Sequence, residues 1–213
     1  MRWLLFLFTC LIFQFALSLF GLALVIPQTE DGLVARGGRG KAPTKLKNPS
    51  SKTRDTGLGS PNYWDADGKG IQSKPTSNLG TDAEKKTMMK GKDADHVLEG
   101  QVVEKALEDQ GKTFQSLDPD TRTKVNKIMN DEGNIQFVPQ GINRSKGQVF
   151  KKALRHRQSV RTKDANRDKY IQETLPQAKD VAKKVDGVLK EGNHKGNVFQ
   201  TLMGAAKRIG RRK

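Results

Sequence analysis

Cysteine, acid and large aromatics are all scarce in this sequence. Its single thiol, Cys10, lies inside an N-terminal apolar run. Without that run the chain has no disulfide framework, no cysteine-ligated zinc site and no thiol nucleophile. Lys and Arg number 39 against 23 Asp and Glu, a net charge of +16. That balance favours polyanion partners, either nucleic acid or an anionic membrane surface, although a merely solvated basic surface has the same composition. Five of the nine Phe fall in the first twenty residues, leaving four Phe, two Tyr and one Trp beyond. Those suffice for a small core of about 100 residues but not for two domains. No internal repeat is present.

What is there divides into four stretches. Met1-Arg2 followed by apolar residues from Trp3 to Ile26 reads as a secretory signal. The run is also long enough for an uncleaved anchor, which needs about 20 apolar residues. Small-residue pairs at Ala16/Ser18 and Gly21/Ala23 suit cleavage. The expectation is therefore a secreted protein, with membrane anchoring as the alternative. Residues 27–92 hold five Pro and ten Gly in 66 positions. They are expected to form a disordered basic linker, because little apolar surface is available to offset the entropy of ordering it.

From residue 93 the pattern becomes helical. Leu98, Val102, Val103, Ala106 and Leu107 predict a helix over 97–109 that stops at Gly111. Asp118-Pro119 offers an N-cap followed by proline in the first turn of a second helix, which should end near Gly133. Ile135–Val138 is short and weakly alternating, consistent with a strand. A third helix is expected over 144–157 and a longer one over 165–190, kinked or broken at Pro176. Residues 192–213, with five Lys or Arg in the last seven, read as a basic flexible tail or a weak amphipathic segment.

Two stretches carry the chemistry. Asp95-His96 is followed, 38 residues after the histidine, by Asn134-Ile135-Gln136-Phe137-Val138, and nine residues after Asn134 by Asn143-Arg144-Ser145-Lys146-Gly147. Together they resemble the halves of an HNH (ββα-metal, His-Me finger) nuclease motif. The resemblance covers about residues 94–160. It implies a mainly α domain over 93–191 with a short β-hairpin, a ββα-metal-like core behind a long disordered N-terminal arm. It also implies a site: Asp95 and Asn143 as ligands of a divalent metal, His96 as general base, and Asn134 orienting the imidazole. Mg²⁺ is the expected ion, with Mn²⁺, Ni²⁺ or Zn²⁺ as alternatives. A hard divalent ion prefers oxygen ligands and keeps several waters, which suits an Asp and an Asn. Arg144, Lys146, Lys151, Lys152, Arg155 and Arg157 would face phosphates.

Each of these residues also has a plain structural use. Asp95 could cap the first helix, Asn134 could sit in a turn, and Asn143 could cap the third helix. The cations could form a solvated helix face. Glu99, one turn from Asp95, could add acid to the site or pair with Lys92 or Lys105. Asn143-Arg144-Ser145 also reads as an N-glycosylation sequon. The expected function is a secreted, metal-dependent, HNH-like endonuclease of low sequence specificity. The alternative is a non-catalytic secreted basic protein that binds nucleic acid or anionic surfaces. A monomer is expected. A nuclease would call for a protective inhibitor, whose nature the sequence does not indicate.

Overall fold

The computed structural model describes residues 43–48, 50–155, 159–160 and 163–209. The signal segment expected over 1–26, residues 27–42 of the expected linker, and Arg157 lie outside the described residues. In chain order the elements are α1 (Ser50–Gly57), β1 (Asn62–Asp67), β2 (Gly70–Pro75), α2 (Asp82–Met89), β3 (Lys92–His96), α3 (Gly100–Glu108), α4 (Pro119–Met129), β4 (Ile135–Pro139), α5 (Gln140–Arg155), α6 (Ala165–Glu191) and α7 (Val198–Ile209). The described residues are thus mainly helical around one small sheet. None of these helices is long and apolar enough to cross a membrane.

The sheet has the order β2-β1-β4-β3. β3 and β4 are antiparallel, with Asp95 opposite Gln136 and His96 opposite Ile135. β1 joins β4 in parallel and pairs with β2 as a hairpin. Side chains alternate across a strand. Asp95, Gln136 and Val138 therefore face α5 and α6, where Trp64, Ile71, Ile142 and Tyr170 complete a small core. Trp64 and Tyr170 meet edge to face, 5.0 Å between centroids. His96, Ile135 and Phe137 face the other way. There Arg54 of α1 lies 5.4 Å from the Phe137 ring centroid. A Cβ on Gly57 would come within 3.1 Å of that ring, so a larger residue there would require Phe137 and Ile135 to shift by a few tenths of an ångström.

The larger core lies among α3–α7, and its buried members include Val102, Leu107, Val125, Met129, Phe150, Ala182, Val185, Leu189 and Leu202. The predicted cap holds: Asp118 accepts a hydrogen bond from the Thr121 N–H at 2.9 Å, and Pro119 opens α4. Elsewhere the structure departs from expectation. Of the kink or break expected at Pro176, no break occurs: α6 continues to Glu191. Proline deletes one helical N–H, but Pro176 and Gln172, whose carbonyl loses its donor, are both exposed, so water can take over. β4 passes directly into α5 at Pro139-Gln140, and Asn143 lies within the helix rather than at its cap.

The linker expectation is corrected as well, and of the two readings of the C-terminal segment the amphipathic one holds. Residues 50–89 carry α1, the β1–β2 hairpin and α2. A two-residue loop, Gly68-Lys69, closes the hairpin, and Asp67 Oδ1 accepts from the Lys69 N–H at 2.8 Å. Gly70 sits at φ 111, a backbone state costly for other residues. Thr81 and Glu84 form a reciprocal capping box on α2. α7 stands in the expected tail and buries Val198, Leu202, Ala205 and Ile209. The Asp186 carboxylate caps it, accepting from the Val198 and Phe199 N–H groups at 2.8 and 3.0 Å.

Candidate functional site

The expected ββα order exists in space: β3 pairs with β4, and α5 follows β4 without a loop. Helices α3 and α4 form the insertion between the two motif halves. At the centre of this frame lies a fully buried charged cluster. Lys146 of α5 is 1% exposed. Its Nζ donates to Asp95 Oδ2 at 2.6 Å and to the His96 carbonyl at 2.7 Å, and it lies 3.2 Å from Glu99 Oε1. The Tyr170 hydroxyl of α6 donates to the same Asp95 oxygen at 2.7 Å, with its ring 5.5 Å from the ammonium. Gln101 reaches Glu99 Oε2 at 3.4 Å and donates to the Gly147 carbonyl at 2.9 Å, closing the cluster against α5.

Burial alone would drive the Lys146 ammonium toward neutrality, but Asp95 and Glu99 outweigh it and hold the group above the ordinary lysine range. Burial pushes the Asp95 carboxyl up against the pull of Lys146. Glu99 goes the other way: burial raises it, but Lys146 and Lys47 together bring it below the usual carboxylate range. The expectation that Lys146 meets phosphate is therefore corrected. A charge with a complete set of protein partners beneath the surface cannot reach a polyanion.

The remaining expected residues fall into separate places. His96 is buried on the opposite face from the Asp95 carboxylate, with Nε2 3.3 Å from Asn130 Oδ1. Burial and the nearby Lys47 charge lower its pKa to about 4. Asn130, not Asn134, meets the ring. Asn134 is 0% exposed, and its side chain accepts from the Leu98 N–H at 2.7 Å and donates to the Met129 carbonyl at 2.8 Å. It fixes the backbone just after His96. Asn143 donates to Asp93 Oδ2 at 3.1 Å, not to any group shared with Asp95. The Ser145 hydroxyl accepts from Arg167 at 2.8 Å, so the Asn and the Ser of the sequon both have side-chain partners.

A scan of family models and searches of characterised proteins and of solved structures returned no match. The HNH resemblance therefore stands on the motif and the ββα order alone.

The residues do not fit a divalent ion in this arrangement. No group of three or more His, Cys, Asp or Glu among the described residues is placed to hold a metal. Of the two expected ligands, Asp95 is engaged by an ammonium and a phenol, and Asn143 points its amide at another carboxylate.

The outward face of α5 is different. Arg144, Lys151, Lys152 and Arg155 are all exposed, at helical offsets of 0, 7, 8 and 11 that keep them on one side. Ile142, Lys146, Val149, Phe150, Ala153 and Leu154 form the buried side. The helix contains no acidic residue, and none of the four exposed cations makes an ion pair among the described residues.

The sequence reading missed Tyr170, Gln101 and Asn130 as parts of this frame and left Glu99 between partners. One signal for the cluster was present. Lys146 sits in the apolar stripe Ile142–Val149–Phe150–Ala153, and a lysine at a core position demands buried carboxylates as partners.

Proposed function

We propose that this chain is a non-catalytic basic protein that binds the phosphate backbone of nucleic acid through the outward face of α5. One observation carries the reading: four exposed cations, none ion-paired among the described residues, stand in a row on a helix without acid, anchored by a buried opposite face. At 1.5 Å per residue the row from Arg144 to Arg155 spans about 16 Å. Phosphates recur along a duplex at about one charge per 1.7 Å of axis, so such a row meets several of them whatever the base sequence. Export is part of the same proposal and rests on the apolar run from Trp3 to Ile26.

The test is binding of labelled duplex DNA and RNA to the full-length chain across a salt series. The variant Arg144→Gln/Lys151→Gln/Lys152→Gln/Arg155→Gln is measured beside it. A linear loss of log affinity with log salt, with a shallower slope in the variant, supports the reading. Tight binding that the four substitutions leave untouched sinks it.

A second reading, the HNH-like endonuclease, is favoured by the β3–β4–α5 order with Asp95-His96 and Asn143 at the expected places in the motif. It requires Lys146 to vacate Asp95. Plasmid and RNA cutting that depends on Mg²⁺ or Mn²⁺, stops with chelator and is lost in His96→Ala would establish it over the binding reading.

A further inference from the structure

We infer that the cation of this ββα frame is the chain's own Lys146, which engages Asp95 and Glu99 and leaves the frame no place for a divalent metal. An ammonium has three N–H donors and no acceptor. Lys146 Nζ has three oxygens around it: Asp95 Oδ2 at 2.6 Å, the His96 carbonyl at 2.7 Å and Glu99 Oε1 at 3.2 Å. The donor count and the acceptor count match, so the cation is complete without water.

The three oxygens come from β3 and the turn that follows it, and the nitrogen comes from α5. Lys146 thus ties strand to helix. Two carboxylates face one ammonium, leaving one formal negative charge in the cluster. The Tyr170 hydroxyl on Asp95 and the Gln101 amide beside Glu99 offset part of it with neutral donors. Lys47 contributes a further positive charge near Glu99. A divalent ion bound at Asp95 would stand beside a fixed positive charge that already lies 2.6 Å from one oxygen of that carboxylate. Coulomb repulsion in a buried site makes the two cations mutually exclusive.

This inference does not depend on nucleic-acid binding by α5, and its test does not involve nucleic acid. The full-length chain, stripped with chelator, is titrated with Mg²⁺ and with Mn²⁺ by calorimetry and thermal unfolding. The expected result is no stoichiometric binding and an unmoved midpoint. In Lys146→Ser, which removes the ammonium and leaves room, the midpoint drops and then recovers with Mn²⁺ at one ion per chain. Adding Asp95→Asn to that variant weakens its Mn²⁺ affinity about tenfold or more.

Two outcomes overturn the inference. One is a wild-type chain that binds a divalent ion stoichiometrically and loses it in Asp95→Asn. The other is a folded Lys146→Ser variant that ignores metal. If Lys146→Ser does not fold, the ¹⁵N-lysine spectrum of the wild-type chain decides. A slowly exchanging Lys146 ammonium signal that is the same with and without Mg²⁺ supports the inference. A missing signal, or one that vanishes on adding Mg²⁺, overturns it.

Discussion

At the scale of single residues, the buried polar groups make the strongest predictions. Replacing Lys146 with Met keeps the volume but leaves Asp95 and Glu99 as adjacent buried acids. Breaking one side of a buried ion cluster typically costs about 3–5 kcal/mol. Urea unfolding of Lys146→Met should show a loss of that order, and a loss below about 1 kcal/mol would mean the cluster contributes little. Asn134→Ala orphans the Leu98 N–H and the Met129 carbonyl, both in the interior. Each unsatisfied buried group costs roughly 1–3 kcal/mol, so a total near 3 kcal/mol is expected in the same assay.

His96 supplies a pH dependence. Its folded pKa is about 4 against an ordinary 6.5, because burial disfavours the imidazolium. Between those values the unfolded chain binds a proton that the folded chain refuses. Stability is therefore full above about pH 6.5 and falls as pH drops toward 4, by about 3 kcal/mol in all. Wild type and His96→Gln, compared by urea unfolding over pH 4–7, should differ in slope over that window. Parallel profiles would show that the imidazole is solvated.

At the scale of elements, α5 has two independent faces. Substituting the four outward cations with Gln should change stability by no more than about 0.5 kcal/mol each, since all four are exposed. The same change should reduce the salt slope of nucleic-acid binding by about 3–4, close to 0.9 per lost phosphate contact. The face toward the core behaves oppositely: Lys146 there governs stability and leaves the salt slope untouched. Much of this helix was legible. Its apolar stripe and its basic stripe both follow from 3.6-residue periodicity, and the structure extends its start only to Gln140. Asp118-Pro119 likewise marked α4, because a cap is a local interaction. The β1–β2 hairpin was legible in principle from Asp67-Gly68 between residues with apolar partners, and α2 from Thr81 and Glu84. The abundance of glycine and proline around them concealed both.

At the scale of the molecule, the C-terminal segment belongs to the fold. Val198, Leu202 and Ile209 are buried in the large core and Asp186 caps the helix that carries them. Burying an aliphatic side chain contributes about 1.5–3 kcal/mol, so removing three approaches the whole stability of an ordinary domain. A chain ending at Glu191 should lack a cooperative unfolding transition by circular dichroism. A folded truncated chain would return the segment to the status of a tail.

The amino-acid sequence was sufficient to determine the helical class, the absence of thiol chemistry in the folded part, and the basic face of α5. All of these depend on residue type and on spacing within one element. Tertiary structure alone decided the character of the site. Asp95 and His96 are neighbours in sequence, yet strand alternation sends them to opposite faces of the sheet. Lys146, 51 residues from Asp95, arrives at it because α5 springs directly from β4. Whether an acid meets a metal, a phosphate-bound cation or a lysine of its own chain depends on which helix lies across it, and no local pattern encodes that choice.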